Sequence, residues 1–317
     1  MRVAAILGLG CSAKNLKPFQ FDKGVEWRMG MPAAGERCDV ILLFGGDGTI
    51  HRHLGQLVRL GLPVLVVPAG SGNDFGRALG LHHVRDSVSA WRKFCSGAAN
   101  VCRIDLGVIS AMDIGGGAPS TTAQCRSAPH EPAQRSLSPR YFCCVAGVGL
   151  DGEVSQRANR LPRWLRRHGG YVLSLASTIF TFAPLPMKIL TLVKDTAEND
   201  DGNESWIPRS EQPTLLAAFA NTPFYGGGMK IAPRAKMDDG LLDACIVGDV
   251  DPFKLFCMFP SIYGGRHLNI REVEYFQSAC VRVETEHPID VYADGEYVCR
   301  TPIEVSVKRA ALKVITL

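Results

Sequence analysis

The 317-residue chain is long enough to bury a substantial core as one large or two medium domains. Its net charge of +4, from 35 Lys+Arg against 31 Asp+Glu, is too mild to argue for nucleic acid, and no basic patch studded with base-stacking aromatics accompanies it. The 11 cysteines lack CxxC spacing and the N-terminus lacks an apolar h-region with a cleavage site; this argues against an oxidised secreted scaffold and favours reduced thiols in a cytoplasmic protein.

Arg2 to Leu9, Val25 to Met29 and Asp39 to Phe44 read as three parallel strands with short connections. Val40 to Phe44 is an uninterrupted apolar run suited to a strand buried on both faces, and it ends in Gly45-Gly46-Asp47-Gly48-Thr49. Ile50, Leu54, Leu57 and Val58 then recur at helical spacing, which puts the glycine turn at a helix N-terminus, where unpaired N–H groups and the helix dipole favour an anion. Val64 to Val67 repeats the strand and Pro68 to Asp74 repeats the turn, so two turns are expected to face each other across one crevice. Asp86 to Phe94 reads as an amphipathic helix and Val101 to Ser110 as a strand.

Residues 112–140, rich in Gly, Pro, Ser, Thr and Ala, read as a disordered insertion, and a second polar insertion is expected over 195–212. Tyr141 to Val148 resumes a strand on which Cys143 and Cys144 are expected to point to opposite faces as small apolar residues. Arginines 157, 160, 163, 166 and 167, with Trp164, suit either an anionic bilayer surface or a solvated basic helix end. Pro184 and Pro186 divide the apolar stretch from Tyr171 to Val193 into pieces too short for about 30 Å of hydrocarbon, which predicts a buried helix (Tyr171 to Phe182) and a strand (Lys188 to Lys194). Strands are also expected at Thr214 to Phe219, Ile289 to Ala293 and Ile303 to Val307.

The two turns together, GGDGT and PAGSGNDFGRALG, resemble the catalytic region of the diacylglycerol kinase family, which includes soluble bacterial lipid kinases and the sphingosine and ceramide kinases. NAD kinases and phosphofructokinases share the first element; the second has the lipid-kinase form. The resemblance extends through Gly149-Leu150-Asp151-Gly152, Gly226-Gly227-Gly228-Met229 to Pro233, Asp239-Gly240-Leu241 and the terminal Asp294-Gly295-Glu296. It implies an α/β N-terminal domain, Rossmann-like and akin to NAD kinase and phosphofructokinase, over 1–101. A β-rich sandwich domain over 102–317 would follow, with the C-terminus a candidate to pack back on the first.

The implied activity is ATP-dependent, Mg²⁺-assisted phosphorylation of diacylglycerol, to phosphatidate, or of a related lipid alcohol. An NAD kinase-like activity, or an impaired homologue that only binds ATP or lipid, is the alternative. The implied nucleotide-binding residues are Gly45, Gly46, Asp47, Gly48, Thr49, Ile50, His51, Arg52, Ser71, Asn73 and Asp74. Asp239 would hold Mg²⁺ with main-chain help from Lys236 and Leu241, and Glu296 or Asp294 would be the general base. The oligomeric state is not readable from the residues; relatives are often dimers, so the resemblance leaves a homodimer open, as it does peripheral contact with the membrane. Two departures stand out. The family's NPxSG turn is replaced by Gly8-Leu9-Gly10-Cys11-Ser12, and the Asn-Glu that normally follows GGDGT is His51-Arg52. Arg52 either adds a phosphate contact or removes a metal-ordering carboxylate, or both residues simply face solvent.

Overall fold

The computed structural model describes residues 1–33, 35–112, 140–160, 174, 177–194 and 204–317. Strands β1 (Arg2–Leu7), β2 (Glu26–Met29), β3 (Val40–Gly45) and β4 (Val64–Pro68) form a parallel layer in the order β2-β1-β3-β4. Every residue of β3 and β4 is buried, as their continuous apolar runs require of strands covered on both faces. The connection from β1 to β2 carries a 3₁₀ segment, Ala13–Phe19, that buries Leu16 and Phe19; the Trp91 indole N–H donates to Phe19 O at 3.0 Å and anchors it. Helix α1 (Asp47–Leu60) turns Ile50, Leu54 and Leu57 inward and ends at Gly61, whose φ of 61° only glycine adopts readily. Helices α2 (Asp74–Ala78) and α3 (Val84–Cys95) follow, the latter burying Ala90 and Trp91.

Strand β5 (Val101–Ala111) leads out of this layer. Beyond it, β6 (Arg140–Phe142) and β7 (Val145–Gly149) are separate strands, because the chain bends at Cys143-Cys144. The expected single strand with its cysteines on opposite faces is therefore corrected: the two sulfurs lie 3.9 Å apart. The cause is local. The N–H groups of Cys143, Cys144 and Val145 all converge on the Asp294 carboxylate, and successive donors cannot meet one acceptor while alternating along a ladder.

Helix α4 (Leu150–Arg160) begins directly after β7. The basic stretch beyond it, most of the helix expected over Tyr171 to Phe182, and residues 113–139 lie outside the described residues. Strands β8 (Leu185–Lys194) and β9 (Glu204–Ser210) pair antiparallel, which corrects the second insertion: its later part is an edge strand. Trp206 faces the Arg282 guanidinium at 4.0 Å, and Pro208 is tolerated because an edge strand needs fewer ladder donors. The remaining elements are β10 (Pro213–Ala220), β11 (Leu242–Gly248), α5 (Pro252–Met258), β12 (Val273–Ser278), β13 (Cys280–Thr285), β14 (Asp290–Ala293), β15 (Glu296–Arg300) and β16 (Ile303–Ile315).

The strands run β15-β14-β7-β10-β8-β13-β16-β4-β3-β1-β2. One hydrophobic core lies under the parallel layer, and a second, including Phe142, Phe219, Val281, Val291 and Ile303, fills the antiparallel β-sandwich. Strand β16 joins them: Ile303 to Val305 pair with β13 and β5, and Val314 pairs in parallel with Val64 of β4.

Candidate active site

The turns after β3 and β4 meet backbone to backbone. A Cβ on Gly46 would lie 2.8 Å from Gly70 Cα, so neither turn accepts a side chain at the junction. Asn73, in the left-handed region at φ 53°, staples the second turn: its Oδ1 accepts the Gly70 N–H at 2.8 Å and its Nδ2 donates to Gly70 O at 2.9 Å. The Asp47 carboxylate accepts the N–H groups of Asp74 and Phe75, both at 3.1 Å, and so links the start of α1 to the start of α2. Burial, then the charge of Asp74, pushes the Asp47 carboxyl up to about 6. Asp74 in turn accepts the Gly227 N–H at 2.7 Å and pairs with Arg77 at 2.6 Å; burial outweighs these contacts and raises its carboxyl as well.

Other expected nucleotide residues divide by orientation. Ser71 is exposed at the tip of the second turn. Thr49 packs inward on Gly8 and Gly45, since a Cβ on either glycine would come within 2.6 Å of it. Ile50 is buried in the core and its N–H donates to Gly46 O, so it brings no polar group to the crevice. Arg52 folds back and donates from Nε to Gly48 O at 3.0 Å.

The terminal turn reaches the same place. A Cβ on Gly48 would lie 2.7 Å from Glu296 Oε1, so Glu296 lies over the first turn of α1. Asp294, at φ 51°, has a fully buried side chain that accepts the N–H groups of Cys143 and Cys144 at 2.9 and 2.8 Å and meets His51 Nδ1 at 3.1 Å. Burial alone would raise its carboxyl; the hydrogen bond and charge of His51, with the two N–H groups, hold it below the usual carboxylate range. Burial likewise would lower the His51 imidazole, but Asp294 and the charge of Glu296 raise it. Cys143 Sγ, Cys144 Sγ and the Asp294 carboxylate cluster within 4.8 Å, yet burial pushes both thiols up, Cys144 to about 12. Protonated, Cys143 serves as a further S–H donor to Asp294 at 3.4 Å.

The residues expected to hold Mg²⁺ are elsewhere. Asp239 Oδ1 accepts the Leu241 N–H at 3.0 Å and lines a hollow with Arg103, Asp105, Asp238 and Arg309, and Lys236 is exposed nearby in sequence. Asp105 organises this corner by accepting the N–H groups of Gly240 and Ala310 at 2.8 and 2.6 Å. Mg²⁺ takes one or two carboxylates with water and phosphate oxygens, and Asp239 and Asp238 are the carboxylates this hollow would offer it, beside the Arg103 and Arg309 guanidiniums. None of the described contacts of Asp239 reaches the glycine turns.

A third feature lies beyond the Gly226–Met229 loop, whose Gly227 holds Asp74. It is an apolar cavity with about 750 Å³ of empty space counted to its open mouth. Leu150, Val154, Leu215, Tyr225, Met229 and Ile231 line one side, and Leu255, Met258, Phe259 and Ile262 from the α5 region line the other. Asp151 and His267 are its polar members; burial pushes the Asp151 carboxyl up to about 7 and lowers the His267 imidazole. On the outer side, Phe253, Phe256 and Phe180 are exposed, and the last two pack at a 45° tilt with ring centroids 5.6 Å apart.

Residues 22–109 match the diacylglycerol kinase catalytic domain, and residues 144–316 match the YegS C-terminal NAD kinase beta sandwich-like domain. A diacylglycerol kinase of Mycobacterium tuberculosis (strain ATCC 25618 / H37Rv) is 31% identical over 89% of this chain and 78% of its own length. The chain belongs to the diacylglycerol kinase family. A diacylglycerol kinase of Bacillus subtilis (strain 168), 24% identical over 84% of the chain and 73% of its own length, is another relative in this lipid kinase family. The fold agrees: a solved structure from Bacillus anthracis str. Sterne, provisionally named a diacylglycerol kinase, covers 100% of this chain and 96% of its own at TM-score 0.64 and 20% identity.

Within this diacylglycerol kinase family chain, three groups at the site escaped the sequence reading: the His51–Asp294 contact, the Cys143-Cys144 amides, and the cavity wall from α5 to Ile270. The first two depend on tertiary proximity across 243 and 151 residues. The third had a visible signal in Pro252 to Tyr263, where Phe253, Leu255, Phe256, Met258 and Phe259 are too apolar for an ordinary surface helix.

Proposed function

We propose that the chain is an ATP-dependent lipid kinase that phosphorylates the hydroxyl of diacylglycerol or a related lipid alcohol. The observation that carries this reading is a continuous arrangement. Two joined glycine turns at the ends of adjacent parallel strands are overhung by Glu296, and the Gly226–Met229 loop connects them to an apolar cavity. Phosphoryl transfer asks mainly for positioning and charge neutralisation. The N–H groups of the turns and the Ser71 hydroxyl would cradle the phosphates, with Asp47 fixing the relation between the turns. Mg²⁺, when bound, supplies neutralisation of charge on the phosphate oxygens.

Of the two carboxylates in the terminal turn, Asp294 is enclosed by N–H donors, which leaves Glu296 as the one beside the reacting groups. The exposed phenylalanines around α5 lie on the back of the cavity wall and would dip into a bilayer, so that a lipid enters the cavity without crossing water. Among the described residues no helix is long and apolar enough to span a membrane, and contact of this kind would be peripheral.

The test is transfer of labelled γ-phosphate from ATP, with Mg²⁺, to diacylglycerol, sphingosine-like alcohols and NAD presented in parallel. A labelled lipid supports the reading and names its class. Labelled NAD, or ATP binding with no labelled product, overturns it.

A further inference from the structure

His51 lies on the first turns of α1, two residues after the Gly45–Thr49 turn, and its ring faces a buried carboxylate. Its Nδ1 meets Asp294 Oδ2 at 3.1 Å, and the Asp294 side chain is fully buried. That carboxylate is already satisfied by main-chain N–H groups at Cys143 and Cys144, with Val145 N–H at 3.3 Å, so it does not need His51 for its hydrogen bonding. An ionised carboxylate only accepts, which assigns the imidazole proton to Nδ1 and leaves the lone pair on Nε2. The ring is mostly enclosed, with 14% of its side chain exposed. No described contact occupies Nε2, and Glu296 lies close enough for its charge to act on the ring.

We propose that His51 accepts the proton of the acceptor hydroxyl and that Asp294 is its positioning residue. This rests on the lipid kinase reading above. As the hydroxyl oxygen forms its bond to the γ-phosphorus, the bond from that phosphorus to the β–γ bridging oxygen breaks and its electron pair leaves on ADP. The hydroxyl proton passes to His51 Nε2. The hydroxyl donates its hydrogen bond to Nε2 beforehand, and Glu296, whose charge acts on the ring, stabilises the imidazolium that forms. The charged groups facing the ring are Asp294 and Glu296 from the terminal turn and Arg140 at the start of β6, which opposes protonation. On α1 itself, Arg52 is turned to Gly48 O and Asp47 is engaged under α2. An imidazole suits this task near neutral pH better than a carboxylate, because proton acceptance is most effective when the base titrates near the working pH.

The experiment is the pH profile of kcat/KM for labelled phosphate transfer by the full chain, in wild type, His51→Gln, His51→Asn and Glu296→Gln, each checked for an unchanged melting curve. Wild type is expected to rise along an acid limb above the ordinary imidazole value of about 6.5. Both His51 variants should lose that limb and fall by about 10²–10⁴. Glu296→Gln should be slow but keep the limb, moved to lower pH. If either folded His51 variant retains the limb and stays within about threefold of wild type, or the wild-type limb lies in the carboxylate range, the proposal is overturned alone. A wild type that phosphorylates no acceptor overturns the lipid kinase reading and this proposal together.

Discussion

Asp47 Oδ2 accepts the main-chain N–H of Asp74 at 3.1 Å, joining two glycine turns 27 residues apart in sequence. Asp47→Asn keeps one accepting oxygen and removes a buried charge, so its effects on stability oppose each other and the net change should stay within about 1 kcal/mol. Turnover should fall by about 10² or more if, as proposed, the relation between the turns positions the phosphates. Urea melts and initial rates on the same preparation check both.

Gly48→Ala separates helix formation from activity. Alanine favours a helix over glycine by about 1 kcal/mol, yet its Cβ would come within 2.7 Å of Glu296 Oε1. The flexible end of Glu296 gives way, so the variant should melt no lower than wild type while kcat drops by about tenfold or more. An active Gly48→Ala variant would mean that Glu296 does not act from this position.

Phe253→Ser with Phe256→Ser removes exposed apolar surface without touching the cavity wall. Vesicle cosedimentation should weaken by about tenfold or more, with the melting temperature unchanged. Activity on micelle-borne lipid should fall while activity on a dispersed short-chain acceptor is retained.

Asp151 makes stability depend on pH. Its carboxyl rises from 3.8 to about 7 through burial. A raised acid gives its full contribution below 3.8 and loses it as pH climbs to about 7, because the unfolded chain ionises first. Asp47 slopes the same way up to about 6. Asp151→Asn should therefore gain melting temperature relative to wild type between pH 4 and pH 8, on the order of 5 °C. A constant difference across that range would mean that Asp151 is not held neutral by its surroundings.

The nucleotide-side architecture was legible because its signals are local. Val40 to Phe44 is apolar at every position and the strand is buried at every position; Ile50, Leu54 and Leu57 mark the buried face of α1. The residues that complete the site were not legible, since Asp294 reaches His51 and Cys143 only once β14 lies beside β7. The same contact bends Cys143-Cys144 out of a stretch that reads as a plain strand. Glu204 to Ser210 misled for a different reason: its polar composition belongs to an edge strand, where one side needs no partner. Asp239 was recognisable as a turn carboxylate, but nothing in its flanking residues reveals that Asp105 and Arg309 surround it.

Strand β16 imposes an order on assembly during translation. The edge of β4 and most of β5 stay open until residues 303–315 emerge from the ribosome, so the parallel layer keeps an unpaired flank until β16 is made. Partners 250 residues apart, Val64 and Val314, thus close the sheet that carries the crevice, a slow kind of pairing that is exposed to aggregation until it is made. Loss of residues 303–315 would strip β4 of its neighbour at Val64, turning a local lesion into an aggregation defect in a distant part of the chain.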